Sequence, residues 1–353
     1  MIYTGRSTLG IDIGTSAIKV VEVSNQSSRK IKSLGLSILP SGVIENGVFI
    51  DPKVIREHLI KTLKSMGVSP RWKKAVISVN AANTVLRRVF MPNRDDDTME
   101  DMAEQEADQH VQMSFDDSYL SWHIYDALPD QSDRSVLFAG CAHELVDSRI
   151  QLIKGLHMTP KVIDCDVLSI ANLYEFLFPK SRELVCLLDM GASATTMILL
   201  ANGEYQYSRT LPYGGRHFTS HIANTLQIDL TSAEITKIAA ANNDQAALNQ
   251  ITHPLQQMLE AFVKELQVSA NYFFQNQENK VPDAQIKSIF ITGAASRTPG
   301  VKSLITQRIC TQTDYLNALS YLPKVASLAD DKQSSTSEIF SVATGLALRD
   351  DID

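Results

Sequence analysis

The chain has little cysteine: Cys141, Cys165, Cys186 and Cys310 are the four among 353 residues, with no CxxC pair and no ligand spacing to the eight histidines. That excludes a disulfide framework and a Cys/His metal site as organising principles, and points to a reducing compartment. Cys165 and Cys186, in apolar surroundings, read as small core residues. There is no excess of basic charge, since 40 acids stand against 33 bases for a net charge of −7. A general nucleic-acid binder needs a basic footprint, so none is expected here. The local patch RWKK (Arg71 to Lys74) reads as a solvated loop ahead of a strand. Long apolar runs are missing too. The most apolar region, Leu184 to Leu200, is broken by Asp189 and Gly191, and a membrane span needs about 20 apolar residues. No basic leader followed by an apolar core opens the chain, so no signal peptide is expected and any membrane contact would run through a partner. The sequence has no GxxxxGK[ST], no GxGxxG after its first strand and no HExxH, which excludes a P-loop, a Rossmann dinucleotide site and a zincin site.

What is present is an internal echo. LGIDIGTSAIKVVEVS (Leu9 to Ser24) is two apolar runs around a turn built on Asp12 and Gly14. CLLDMGASATTMILL (Cys186 to Leu200) aligns with it without gaps, 177 residues later, half the chain. Asp12 meets Asp189, Gly14 meets Gly191 and Ser16 meets Ser193. At 353 residues the chain exceeds one ordinary core, so a duplicated unit with a polar turn in each half is the natural reading.

The coarse pattern agrees. A third strand, Ile31 to Pro40, follows the first hairpin. DPKVIREHLIKTLKSMG is a helix with Asp51 as cap, Pro52 at its first position and Gly67 as its end. Lys74 to Asn80 is a buried strand, and Pro160 to Leu177 a strand then a helix, which together make a ribonuclease-H-like βββαβα layout. An inserted strand–helix–strand–strand–helix piece spans about Ala81 to Leu156; its stretch Asp95 to Asp117 holds ten acids and no Lys or Arg. The second half opens with three strands and an Asn202-Gly203 hairpin turn. Helices follow at Arg216 to Leu226, Ser232 to Ala241 and Pro254 to Asn276. Ile286 to Ser296 is a strand entering a small-residue turn, PGVKSLITQRI and EIFSVATGLALRD are helices, and Ala329 to Ser337 is a polar loop.

Paired Asp-x-Gly turns suit a phosphate chain. Gly14 and Gly191 are expected to permit positive φ and close backbone approach. The amides of Thr15, Ser16, Ala192 and Ser193 can then form an anion nest, to which Thr15 and Ser16 add hydroxyls. Asp12 and Asp189 would hold Mg²⁺ mainly through its waters, and Lys19 stands on the returning strand within reach of a phosphate. Such turns also form without any ligand; the second copy at half-chain offset is what favours a ligand.

GIDIGTSAIK (Gly10 to Lys19), LLDMGASAT (Leu187 to Thr195), ITGAAS (Ile291 to Ser296) and VATGLAL (Val342 to Leu348) resemble, in order, the phosphate, phosphate, adenosine and connecting motifs of the actin-like ATPase superfamily. EADQHVQMSFDD, PKVIDCDVLSIANL, YGGRHFTSHI, AEITK and the closing GLALRD extend the likeness over nearly the whole chain to the PilM family of type IV pilus assembly proteins, relatives of the cell-division protein FtsA.

The resemblance implies an α/β actin-like ATPase fold: two ribonuclease-H-like domains around a nucleotide cleft, with an FtsA-like inserted 1C subdomain. The implied divisions are 1–80 and 157–182 for subdomain 1A, 81–156 for 1C, 183–212 and 285–338 for 2A, 213–284 for 2B, and 339–353 for a C-terminal helix returning to 1A. The implied ligand is ATP or ADP with Mg. Asp12, Gly14, Thr15, Ser16 and Lys19 match the first phosphate motif, and Asp189, Gly191 and Ser193 the second. Gly214, Gly215, Glu234 and Lys237 match positions near the ribose and base, and Gly293 the adenosine turn. Asp164 stands where chaperone ATPases of the superfamily place a carboxylate that orients an attacking water, with Asp166 as rival; the other reading is that both cap the following helix. Nucleotide binding with at most slow hydrolysis is therefore implied. The chain departs from the family pattern in two places: Gly293-Ala294 replaces a Gly-Gly, and HVQMSF stands where the insertion usually has prolines.

The implied role is a cytoplasmic scaffold of the inner-membrane pilus platform that binds the cytoplasmic N-terminal tail of PilN. PilO, the platform protein, the pilus motor ATPases and self-association are further implied contacts; nucleic acid is not, and the membrane is reached only through partners. The acidic tract at Asp95 to Asp117 suits an Arg-bearing tail, or is simply a solvated helix face. The ending RDDID lacks the amphipathic membrane helix of FtsA. An FtsA-like filament former and a small-molecule kinase of the same superfamily stay open as alternatives.

Overall fold

A computed structural model describes residues 7–25, 29–126, 132–275, 285–309, 311–324 and 337–349. The expected polar loop at Ala329 to Ser337, Ser337 apart, lies outside the described residues, as do Cys310 and the acidic ending from Asp350. Contacts divide the chain into two compact units: Met1–Ser169 with Tyr205–Tyr207 and Val342–Asp353, and Ile170–Glu204 with Ser208–Ser341.

The first unit opens with β1 (Ser7–Ile13), β2 (Ala17–Ser24) and β3 (Ile31–Ile38), paired in antiparallel order. A short hairpin follows, β4 (Ile44–Glu45) and β5 (Val48–Phe49). Sequence reading passed over it, although its turn is an Asn46-Gly47 pair with both φ positive, a strong hairpin signal. Helix α1 (Pro52–Ser65) starts as expected: the Asp51 carboxylate accepts from the amides of Lys53 and Val54, and Gly67, at φ +68°, lies just past its end. Ile55, Leu59 and Leu63 form its buried stripe and pack with Leu9 and Ile11 of β1. Each such side chain contributes about 1.5–3 kcal/mol on burial. Strand β6 (Lys74–Val79) joins β1 in parallel.

A separate antiparallel sheet follows, ordered β7–β9–β8, from β7 (Thr84–Pro92), β8 (Ser118–Ile124) and β9 (Asp133–Ala142), with helix α2 (Asp96–Val111) between β7 and β8. Met99, Ala103, Ala107 and Val111 recur at every fourth position of α2 and bury against Val136 and Phe138. The helix thereby turns Asp97, Glu100, Asp101 and Glu104 outward. Helix α3 (His143–Gly155) returns the chain to β10 (Thr159–Cys165), parallel to β6. The main sheet thus reads β10–β6–β1–β2–β3.

After α4 (Asp166–Leu177), the second unit repeats the plan with β11 (Leu184–Met190), β12 (Thr195–Ala201) and β13 (Glu204–Leu211). The Asn202-Gly203 turn has both φ positive, as the hairpin pattern predicts. Helices α5 (Gly215–Leu226), α6 (Leu230–Ala241) and α7 (Gln245–Gln275) come next, then β14 (Ser288–Thr292), α8 (Val301–Ile309), β15 (Gln312–Tyr315) and the short α9 (Ala318–Tyr321). This sheet reads β13–β12–β11–β14–β15, the strand order of the first. Both sheets are ribonuclease-H-like. One boundary differs from expectation. Pro254, read as the start of a helix, lies inside α7, where it is buried with Ile251 and Leu255. A proline inside a helix costs about 3 kcal/mol, and the apolar stripe of this long helix offsets it.

The last helix, α10 (Ser341–Leu348), belongs almost wholly to the first unit. A Cβ on Gly10 would fall 1.9 Å from the Ala343 carbonyl oxygen and 2.5 Å from the Ala347 nitrogen. The α10 backbone therefore rests directly on β1, and only glycine at position 10 permits it. Cys141, Cys165 and Cys186 are buried free thiols.

Candidate functional site

In the first unit the β1–β2 hairpin sets the site. Asp12 and Lys19 face each other across the ladder, and Lys19 Nζ lies 2.6 Å from Asp12 Oδ2. The carboxylate is buried and the ammonium nearly so. Between them Gly14 N–H donates to the Ala17 carbonyl at 3.0 Å, closing a tight turn that holds Thr15 and Ser16 at its tip. Lys19, expected to reach for a phosphate, spends its charge on Asp12 in this structure.

Across the same sheet, Asp164 is the penultimate residue of β10. Its Oδ1 accepts from the Cys165 amide at 2.8 Å, and Arg349 Nε stands 3.5 Å from Oδ2, an atom buried without a hydrogen-bond partner. Burial raises the Asp164 pKa, against the opposing pull of Arg349. Asp166 is the first residue of α4, and Ser169 Oγ donates to its carbonyl.

In the second unit, segments distant in sequence converge. Gly191 N–H closes the β11–β12 turn on the Ala194 carbonyl at 2.9 Å. That turn lies against the start of α5: Gly215 N–H donates to Gly191 O at 3.0 Å and Arg216 N–H to Ala192 O at 2.8 Å. A Cβ on Gly214 would fall 2.6 Å from the Ser193 carbonyl carbon and the Ala194 nitrogen. Lys237, buried on α6, donates to the Gly215 carbonyl at 2.9 Å and to Thr219 Oγ1 at 2.7 Å, and pairs with Glu234 Oε2 at 2.8 Å. On the other side, β14 pairs with β11 so that Thr292 is opposite Asp189. Gly293 follows at φ +82°, where a Cβ would meet Asp189 Oδ1 at 2.7 Å and Met190 O at 2.4 Å. Ala295 Cβ stands 3.5 Å from the Cβ position of Gly215. Asp189, Gly191, Ser193, Gly214, Gly215, Glu234, Lys237 and Gly293 thus form one neighbourhood.

One expectation is corrected. Gly14 and Gly191 do not adopt positive φ; of the motif glycines, Gly293 does. The two turns close by ordinary bonds from the glycine amide to the third residue on, which need no left-handed backbone. Two contacts escaped sequence reading, which takes His217 as a helix-surface residue; it is exposed on α5. His217 Nδ1 accepts from the Gly214 amide at 3.2 Å, a cap whose three-residue spacing was visible. The carbonyl of buried Glu338 accepts from Gly293 N–H at 3.1 Å and Thr292 Oγ1 at 2.6 Å, while its carboxylate pairs with Arg297. No local pattern marks that long-range role.

The donors available to a metal are hard oxygens, a single carboxylate in each hairpin. Among the described residues no group of three or more His, Cys, Asp or Glu is placed to hold an ion. That set suits Mg²⁺ carried on phosphates and water, and does not suit a protein-caged ion.

A family model for the type IV pilus assembly protein PilM matches residues 10–351. The chain belongs to the PilM family. A chain of a solved PilM–PilN type IV pilus biogenesis complex is 24% identical, with a TM-score of 0.80 and coverage of 97% of this chain and 98% of that one. The ethanolamine utilization protein EutJ of Carboxydothermus hydrogenoformans has the related fold at 12% identity and TM-score 0.58, covering 97% of this chain and 89% of its own. The cell division protein FtsA of Pseudomonas aeruginosa is 19% identical over 259 residues, 68% of this chain; the match spans 62% of that relative's length. The fold is the actin-like ATPase fold. Among the described residues, no helix is long and apolar enough to cross a membrane.

Proposed function

We propose that this PilM-family chain is an ATP- or ADP-binding scaffold of type IV pilus assembly that engages the cytoplasmic N-terminal tail of PilN. The observation that carries the nucleotide half is the convergence in the second unit of the Gly191 turn, the start of α5, Lys237 and Gly293. Four pieces of chain are drawn together, with the Cβ positions of Gly214 and Gly293 taken by backbone or carboxylate atoms. In this reading Asp189, Gly191 and Ser193 meet phosphates. Gly214, Gly215, Glu234, Lys237 and Gly293 meet the ribose and base. In the first unit, Asp12, Gly14, Thr15, Ser16 and Lys19 are the residues proposed to meet phosphate. Mg²⁺ would supply charge neutralisation on the phosphates, and the hard carboxylates Asp12 and Asp189 are the residues that would hold its waters. Hydrogen bonds to charged groups contribute about 1.5–3 kcal/mol each, so this donor set is large enough to retain a nucleotide.

Asp164 Oδ2, buried and 3.5 Å from Arg349 Nε, is the carboxylate oxygen this reading offers to an attacking water. Asp164 is therefore the residue proposed to orient water in slow hydrolysis. A scaffold needs no turnover: nucleotide at a hundredfold its Kd stabilises a fold by about 2.7 kcal/mol.

The partner half rests on the solved PilM–PilN complex to which this chain is similar and on the outward acids of α2, which complement a basic tail. The test is fluorescence anisotropy of a labelled PilN tail peptide with the full chain, with and without ATP·Mg. Saturable binding that changes with nucleotide supports the scaffold. Absence of peptide binding, with phosphate release stimulated by a metabolite, supports the kinase reading instead.

A further inference from the structure

The main sheet of the first unit has a second end, opposite the Asp12 turn. There the chain enters β3, β6 and β10 from three loops joined to one another. Trp72 N–H donates to His157 O at 3.1 Å, Thr159 N–H to Lys73 O at 2.9 Å, and Ser24 N–H to Lys30 O at 2.8 Å. Lys73 Nζ completes the weave on Ser7 Oγ at 2.9 Å and Glu22 Oε1 at 2.6 Å.

Charge is segregated at this end of an otherwise acidic chain. The described segments at this end, residues 29–34, 66–74 and 154–161, contain no Asp or Glu. They carry Arg29, Lys30, Lys32, Arg71, Lys74 and Lys154 at this end of the sheet. An acid at the same end, Glu22, is buried and shared between Lys73 and Lys32. Amid this positive field stands Trp72, 84% exposed, the most exposed large hydrophobic side chain among the described residues. Its backbone lies in the left-handed region at φ +65°, where a bulky residue is rare.

A lone indole in water within a polybasic face matches two features of the bilayer surface. Tryptophan favours the headgroup layer, and an anionic leaflet attracts clustered Lys and Arg. Single-stranded nucleic acid is recognised by a succession of aromatic platforms along a groove, whereas this face offers one aromatic at a loop tip. We propose that this end of the first unit is a membrane-contact surface that docks on anionic phospholipid headgroups with Trp72 in the interfacial layer. It gives the chain its own hold on the membrane, independent of nucleotide and of any tail peptide.

The test is sedimentation of the full chain, without partner or nucleotide, with phosphatidylglycerol-containing vesicles and with pure phosphatidylcholine vesicles at low salt. Selective cosedimentation with the anionic vesicles is expected, and Lys30→Glu/Arg71→Glu lowers the partition coefficient at least ~10-fold. The chain has two tryptophans, Trp72 and Trp122, so Trp122→Phe isolates the Trp72 signal; its emission shifts to the blue and is quenched by brominated lipid. Lys30, Arg71 and Trp72 are exposed, and thermal melts matching the parent show that the variants are folded. Absence of binding to anionic vesicles overturns the proposal. So does binding that the double reversal leaves unchanged, or retention of single-stranded DNA in place of vesicles.

Discussion

Gly293 presses on Asp189: a Cβ added to the glycine would stand 2.7 Å from the aspartate Oδ1, on a backbone at φ +82°. The carboxylate of one β-strand is thus placed by the absence of a side chain on its neighbour. Gly293→Ala meets both a disfavoured backbone and a filled space. It is expected to destabilise the fold by about 1–3 kcal/mol and to displace Asp189, weakening nucleotide binding beyond the stability loss. Thermal melts with and without ATP·Mg separate the two effects; a variant that melts like the parent and keeps the full ligand-induced shift contradicts this.

The Asp12–Lys19 pair should respond asymmetrically. Lys19→Ala strands a buried carboxylate, a loss of about 3 kcal/mol. Asp12→Ala leaves an ammonium that retains access to water, so it costs less. Urea unfolding of both single variants and the double variant tests the order, and equal losses would count against a pair held in low dielectric.

Much of this was legible in the residues. The two hairpins, the capped α1 and the Asn202-Gly203 turn follow from alternation, cap chemistry and turn chemistry, all local signals. The half-chain echo pointed to the two matching hairpins, β1–β2 and β11–β12. What local pattern does not carry is contact between distant segments. The packing of Gly10 against Ala343, the seating of Gly214 on the Ser193 turn and the bond from Gly293 to Glu338 are tertiary facts. Pro254 misled for the opposite reason: its local rule is strong, and burial on α7 overrode it.

Glu22 sets a pH dependence. Burial works to raise its pKa, and hydrogen bonds from Lys73 and Ser7 with the charges of Lys73 and Lys32 outweigh that, so it is held below the usual value. A depressed carboxyl contributes stability that is full above the unfolded value of about 4.3 and is lost as pH falls through the folded pKa. Glu22→Gln should therefore be less stable than the parent at neutral pH, with the gap narrowing in acid. Urea midpoints across that range check it, and a gap that widens as pH falls would refute the sign.

The outward acids of α2 bear on the partner. Asp97→Lys/Asp101→Lys/Glu104→Lys reverses one exposed stripe while leaving Met99, Ala103 and Ala107 in place. The Kd for a basic PilN tail peptide should rise roughly tenfold, with a flatter salt dependence. Anisotropy titration at two salt concentrations measures both. Unchanged affinity would make the stripe a solvated face only.

The central claim of the proposed function is that Asp12 and Asp189 each contribute to binding of Mg-nucleotide. Isothermal titration calorimetry of ATP·Mg on the parent, Asp12→Ala and Asp189→Ala tests it most directly. The account predicts one site per chain and a fall in affinity of at least ~10-fold in each variant, as the loss of a charged-group interaction implies. Two variants that bind as tightly as the parent would contradict it.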